Sequence, residues 1–216
     1  MSLVTNWGYT LTEATALTDM LSDTEFDAFT ASRYTGDARI APTIKAASDA
    51  IRNYCGWHLY PSLACSWSGY LGGVSQNVSA NSTRRGLEYL IQLPARFISG
   101  ITSVSIAGTE IDSSCYVFER NGLLRIYKAD FYNYADYDTI EVVYTAGVPD
   151  GLMDGIKELV ANRTTHALAS SYGITSESTG GVSVTYSAAW TGSSRASALT
   201  DDSKELLAPF RLQGVF

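Results

Sequence analysis

The hydrophobic period changes twice along this chain, and that double change limits the folds open to it. Ile40, Ile44, Ala47, Ile51 and Tyr54 recur at steps of four, three, four and three, which is one face of a helix. From about residue 87 to 145 the pattern becomes alternating and β-branched. It then returns to a helical repeat in which Leu152, Ile156, Leu159, Val160, Arg163 and Ala167 share a face. Two helices remote in sequence therefore bracket a β region, and the simplest closure packs them on each other. The expected fold class is α+β, mainly α: a helical bundle core from N- and C-terminal helices with an inserted antiparallel β region. Residues 1–60 and 147–216 are expected to form the helical core with a C-terminal arm, and residues 61–146 the β insertion.

Local signals fill in this outline. The segment from about Thr10 to Tyr60 reads as helical, with Leu11, Leu17, Met20, Leu21, Phe26 and Phe29 as a loose apolar set. Ser22 and Glu25 match a capping box opening a short helix. Pro42 falls in the first turn of the next helix, where its missing N–H is harmless, and Gly56 follows Cys55 as a stop. In the β region, Leu87–Leu93 is apolar and ends at Pro94. Ile101–Ile106 reads as a strand, Ala107-Gly108-Thr109 as a turn, and Glu110 as the start of a return strand. Tyr116–Phe118 and Leu123–Tyr127 flank Asn121-Gly122, a dipeptide whose hairpin turn needs positive φ at both central residues. Thr139–Thr145 is the last strand of the region. Gly69–Gly86 and Lys128–Asp138 read as long loops. The second long helix ends near Tyr172-Gly173, Ser176–Gly181 reads as a flexible link and Val182–Tyr186 as a short strand. Asp202 and Glu205 match a second capping box, opening a final helix limited by Pro209.

Charge bears on partners. Only 17% of the residues are charged and the net charge is −7. A chain that grips a nucleic acid backbone needs a basic patch, and the longest basic run is Arg84-Arg85. Sequence-reading DNA binding is not expected, although an acidic surface suits a channel through which DNA slides without sticking. The three cysteines, Cys55, Cys65 and Cys115, have no short spacing, so they give neither a disulfide framework nor a zinc pattern. No secretory signal opens the chain and no run approaches the ~18 apolar residues that span a bilayer, so no membrane partner is expected.

Catalytic patterns are weak. His58 and His166 are the only histidines, and neither adjoins a nucleophile motif such as G-x-S-x-G. Asp130, Asp136 and Asp138 lie in a tyrosine-rich loop that offers paired carboxylates, but a solvated loop explains them more simply. Gly72-Gly73 lacks the Lys and Ser/Thr of a phosphate loop. The expectation is a chain without enzymatic activity and without catalytic, metal or cofactor sites.

Three segments carry a resemblance. The first is the helix from Ile40 that ends in Cys55-Gly56-Trp57. The second is Leu93-Pro94 followed by Ile101-Thr-Ser-Val-Ser-Ile-Ala-Gly108. The third is Ile140-Glu-Val-Val-Tyr-Thr-Ala-Gly-Val-Pro149 running directly into a helix. In this order they resemble the head–tail adaptor (connector) family of long-tailed phages, over most of residues 37–170. Leu206-Leu-Ala-Pro-Phe-Arg211 adds to the likeness. The resemblance implies a structural virion protein of the neck, assembled in the host cytoplasm. It implies a homo-oligomeric ring, typically dodecameric, between the portal protein and the next neck or tail protein, with DNA passing through the lumen. It also implies that Thr200–Phe216 is the portal-contacting arm, with Leu206, Leu207, Phe210 and Arg211 as contact candidates.

An amphipathic terminal helix after the small, polar stretch Ser187–Ser197 suits docking into a preformed groove; equally, it suits packing on its own domain. Strand edges and the Ala46/Ala47/Ala50 face of the first long helix are candidates for side-to-side contact. Two other readings compete: another neck or tail component such as a stopper or tail terminator, and a carbohydrate-binding module using Trp67, Tyr70, Tyr132, Tyr134 and Tyr137.

Overall fold

The computed structural model describes residues 3–12, 17–73, 75–78, 87–127, 138–169, 176–179, 182–185 and 199–212. In chain order the elements are β1 (Leu3–Val4), β2 (Thr10–Leu11), α1 (Asp23–Phe29), α2 (Ile40–Cys55), β3 (Leu63–Tyr70), β4 (Ser75–Val78), β5 (Leu87–Gln92) and β6 (Ile98–Ile106). Next come β7 (Thr109–Glu110), β8 (Tyr116–Phe118), β9 (Leu123–Tyr127), β10 (Thr139–Ala146), α3 (Asp154–Ala169), β11 (Ser176–Thr179), β12 (Val182–Thr185) and α4 (Asp201–Leu207). The chain divides into two compact units. A sheet unit comprises Met1–Leu17, Gly56–Pro149 and Leu212–Phe216; a helical unit comprises Thr18–Cys55 and Asp150–Arg211.

The fold departs from the expected mainly α class. Strand residues outnumber α-helical ones among the described residues, so the protein is an α+β fold and not a mainly α helical bundle. The reasons are local. Helices α1 and α4 have only seven residues each. Thr10–Leu11 is a strand, where the sequence read as the start of a helical segment. The eight residues of β3, Leu-Ala-Cys-Ser-Trp-Ser-Gly-Tyr, are too rich in small side chains to show a β pattern, yet all eight pair with β10. Pairing with an established neighbour decided the conformation that propensity left open.

The sheet unit holds a six-stranded sheet, order β1-β2-β3-β10-β6-β7, and a four-stranded sheet, order β4-β5-β9-β8, with antiparallel pairing throughout. Strand β10 is central to the first. Its alternate residues Ile140, Val142, Tyr144 and Ala146 are fully buried, and Val104, Ile106 and Cys65 from its neighbours join them. Register shifts between β10 and β6 mark a bulge near Tyr144, so Tyr144 faces Ile101 where strict pairing would bring Thr102. The β6–β7 turn has positive φ at both Ala107 and Gly108, as a two-residue hairpin requires. The Asn121-Gly122 hairpin does not: only Gly122 is left-handed there (φ +96°).

In the helical unit, α2 packs on α3, and α3 also contacts α1 and α4. The face of α2 buries Ile40, Ile44, Ala47, Ile51 and Cys55, and with them Ser48 and Arg52. Both polar residues are used. Ser48 accepts from Met20 N–H (3.2 Å), and Arg52 donates to the Thr18 carbonyl and to the Asp49 carboxylate (3.4 Å). A short 3-10 turn, Asp150–Leu152, precedes α3, so Leu152 is exposed and Met153 is buried in its stead.

The capping box at α1 forms as the sequence indicates, with Ser22 accepting from Glu25 N–H and Glu25 accepting from Ser22 N–H. Glu25 also takes a charged hydrogen bond from Lys157 of α3 (2.5 Å). That lysine, with the Ser22 donors, lowers the Glu25 pKa to about 2 from an ordinary 4.5. A depressed carboxylate pKa contributes stability that is complete above the ordinary value and is lost as pH falls through the folded one. Acidification from about pH 4.5 to 2 is therefore expected to loosen α1 from α3. The Glu25 side chain is 42% exposed, so solvent screening keeps the effect modest. Far-ultraviolet circular dichroism against pH should show this loss, and Glu25→Gln should flatten it.

Candidate docking surface

The four contact candidates sit on one short stretch of the helical unit. Thr200 caps α4, its hydroxyl accepting from Ser203 N–H (3.3 Å), and Asp201 and Asp202 occupy the favourable acidic first turn. The cap is thus Thr200, two residues ahead of the Asp202 box suggested by the sequence. Pro209 lies in a 3-10 turn, Ala208–Phe210, that ends the helix.

The helix divides its candidates. Leu207 is fully buried, Leu206 is 44% exposed, Phe210 is half-buried and Arg211 is exposed. The Arg211 guanidinium lies 5.1 Å from the centroid of the Tyr54 ring of α2, and the Tyr54 hydroxyl donates to the Lys204 carbonyl (3.4 Å). Arg211 also faces Cys55, whose thiol burial pushes up to about 12 while the cation pulls weakly the other way. The arm is therefore held on its own unit through Leu207 and Tyr54. Leu206, and Phe210 four residues on, present apolar surface beside a cation. Phe29 and Leu152 are further exposed apolar side chains of this unit.

The residues weighed for catalysis are dispersed. His58 is fully buried in the sheet unit. The Tyr9 hydroxyl accepts from His58 backbone N–H (3.0 Å) and shares a second hydrogen bond with His58 Nδ1 (2.7 Å). The Ala146 carbonyl can only accept, so Nε2–H donates to it (2.9 Å). The imidazole ties Tyr9 ahead of β2, the residues after α2 and the end of β10 together; it is a structural strut. His166 is an exposed residue of α3, in the other unit. Cys65, like Cys55, is a buried thiol with its pKa raised to about 12, an inert state. Asp130 and Asp136 lie outside the described residues, as do Tyr132, Tyr134 and Tyr137 of the carbohydrate reading. Of that set, Tyr70 is 63% exposed, and the Trp67 ring lies over Gly69. No group of three or more His, Cys, Asp or Glu side chains among the described residues could hold a metal ion.

The model of the head completion protein family matches residues 19–194, most of the chain. The chain belongs to the head completion protein family. No curated protein matches it. The family is one of structural phage proteins, so the head completion chain is a virion component of the head–tail junction, as the three resembling segments implied. The matched range runs from α1 to past β12 and so draws on both units. It leaves out β1, β2 and α4 with its contact candidates. No helix among the described residues is long and apolar enough to cross a membrane.

Exposed apolar residues are a further feature that the sequence alone does not disclose. Val4, Tyr70, Val117 and Phe118 stand out from the sheet unit. Val117 and Phe118 lie on β8, the last strand of its sheet among the described residues. A strand pattern gives no sign of which strand will be an edge, and that information enters only with the sheet order.

Proposed function

We propose that this head completion protein is a non-enzymatic adaptor subunit, a ring, most simply a dodecamer, that seats on the portal, extends the DNA channel and offers the next neck or tail protein its platform. The observation that carries this reading is the family match over 19–194, spanning both units. A net charge of −7 suits a lumen that DNA must traverse without adhering. Electron microscopy of the chain mixed with portal tests it. Rings stacked on portal are expected, and a chain that stays monomeric beside bare portal would overturn it.

The arm is the portal contact in this proposal, through Leu206, Phe210 and Arg211, with Leu207 holding the helix in place. Two variants separate these roles. Leu206→Asp removes apolar surface without touching the core, and portal association is expected to fall about tenfold with an unchanged melting temperature, the loss of one modest interface contact. Leu207→Asp buries a carboxylate and is expected to lower the melting temperature itself. Co-sedimentation with portal and thermal melts read the two effects.

A stopper or tail terminator is the second reading. The strand-rich fold favours it, since such proteins are dominated by sheets. Binding partners decide: a terminator would cap purified tails and ignore portal.

A further inference from the structure

We propose that the free chain pairs with a second copy of itself through β8, two-fold and antiparallel, joining the four-stranded sheets of both copies into one. The inference concerns the chain before it docks and does not rest on the adaptor reading.

Three features of β8 meet in it. The first is backbone direction. Glu119 N–H donates to the Leu123 carbonyl (2.8 Å), so the pair 119/123 is hydrogen-bonded. Antiparallel pairs alternate, so Val117/Arg125 is also a bonded pair, whereas Tyr116/Ile126 and Phe118/Leu124 are not. The N–H and C=O groups of Tyr116 and Phe118 therefore point away from β9, and β8 is the terminal strand on that side among the described residues. A two-fold axis at Val117 sets Tyr116 of each copy opposite Phe118 of the other. Both residues then present matching donors and acceptors.

The second feature is the side chains. Tyr116 and Phe118 share the face of β9 that carries the fully buried Leu124 and Ile126, yet Phe118 is 37% exposed, and Val117 on the other face is 43% exposed. Exposed apolar residues on an edge invite strand addition, and proteins commonly guard edges by shortness or charge. The terminal strands of the six-stranded sheet show that guard: β1 and β7 have two residues each, and β7 ends in Glu110. Strand β8 has three residues and no charge. The two-fold pairing extends the apolar face with two Tyr116–Phe118 contacts and sets Val117 against Val117.

The third feature selects the occupant. Glu110 and Asp112 lie close enough to Tyr116 to act on its hydroxyl electrostatically, so the entry to β8 is acidic. Arg120 and the Arg125–Glu119 pair (3.1 Å) stand at its exit. An antiparallel copy places each acidic entry toward the other's Arg120, a self-complementary pattern that an isologous contact requires. A three-residue strand gives a small contact, so the pairing is weak and exchangeable and leaves the edge free for a later partner.

Cross-linking tests it. In a Cys115→Ser background, Val117→Cys places the two thiols at a close, non-hydrogen-bonded cross-strand position that a disulfide can bridge. Cys55 and Cys65 are buried and stay out of the reaction. Val4→Cys in the same background is the control, since Val4 is 78% exposed on the terminal strand of the other sheet. Under mild oxidation the Val117→Cys chain is expected to form a covalent dimer at least about tenfold faster than the Val4→Cys chain. Adding Arg120→Glu should slow it about tenfold at low salt and less at high salt. Equal rates for the two cysteine variants, or no Val117→Cys dimer, would overturn the pairing. A rate indifferent to Arg120→Glu would overturn the two-fold register.

Discussion

Trp57→Ala is expected to remove about 3–5 kcal/mol of stability, the range for truncating a fully buried aromatic side chain. Trp57 heads the largest side chains that the fold excludes from solvent. Its ring meets His58 edge-on (5.4 Å, 82°) and stacks on Phe97 (6.3 Å, 15°). Two neighbours are held in left-handed backbone, Leu59 (φ +62°) and Phe97 (φ +54°), a conformation that costs a bulky residue about 1–2 kcal/mol. Packing must hold them there. Val148 N–H donates to the Leu59 carbonyl (2.8 Å) only while Leu59 stays in place. Removing the indole therefore opens a cavity and also releases the restraint on Phe97, so the loss should fall toward the upper end. Trp57→Phe keeps the stack and should lose less than half as much. Urea unfolding followed by circular dichroism measures both. A loss under about 1 kcal/mol for the alanine variant would show that the pocket collapses around the gap.

The same segment shows what the sequence could disclose. Cys55-Gly56-Trp57 was legible as a helix stop: Gly56 takes φ +80°, the left-handed residue that ends α2, and Trp57 follows directly into the core. Gly147 in the Tyr-Thr-Ala-Gly segment is explained just as locally, because a Cβ there would lie 2.3 Å from Ser62 Cα. Helix α2 was legible because its apolar spacing persists for four turns. Strand β3 was not, since Cys65 and Trp67 alternate among Ala, Ser and Gly, and only the Tyr144–Cys65 and Val142–Trp67 pairing reveals the face. Strands β1 and β2, in a segment expected to be helical, and the shortness of α1 and α4 turned the expected helical bundle into a sheet-rich fold.

The docking candidates split for a similar reason. Leu206 and Leu207 are adjacent, so a helix must turn one toward its own core and the other outward. Sequence alone does not say which. The cap at Thr200 and the contact of Tyr54 with Lys204 settle it: Leu207 goes in. The burial of Ser48 and Arg52 is not legible in the sequence, because polar residues beside an apolar stripe read as solvent-facing. Their partners, Met20 N–H and the Thr18 carbonyl, lie on a segment without regular structure.

Gly122→Ala is expected to cost about 3 kcal/mol or more, while Asn121→Ala should cost under about 1.5 kcal/mol, and this contrast tests the hairpin geometry. A two-residue turn with positive φ at both positions would make Asn121 and Gly122 comparably sensitive. In the structure the loop is wider. Gly122 N–H donates to the Glu119 carbonyl (3.0 Å), and Gly122 alone is left-handed. Alanine at 122 meets two penalties: φ +96° is strained for any side chain, and the added Cβ would approach the Ala95 carbonyl to 2.3 Å and the Leu93 carbonyl to 3.0 Å. Those are backbone atoms, and Leu93 N–H is bonded to the Gly122 carbonyl (2.9 Å), so neither side can yield without breaking that link. The Asn121 side chain makes exposed bonds, accepting from Leu123 N–H (3.0 Å) and donating to Glu119 (3.1 Å), while its backbone carbonyl keeps its bond from the Gln92 side chain (3.2 Å) in an alanine variant. Losing the side-chain bonds leaves groups that water can satisfy. Chemical denaturation of the two variants side by side decides the matter. Equal losses would mean that residue 121 also bears the turn, and the β8 edge that follows from this register would have to be redrawn.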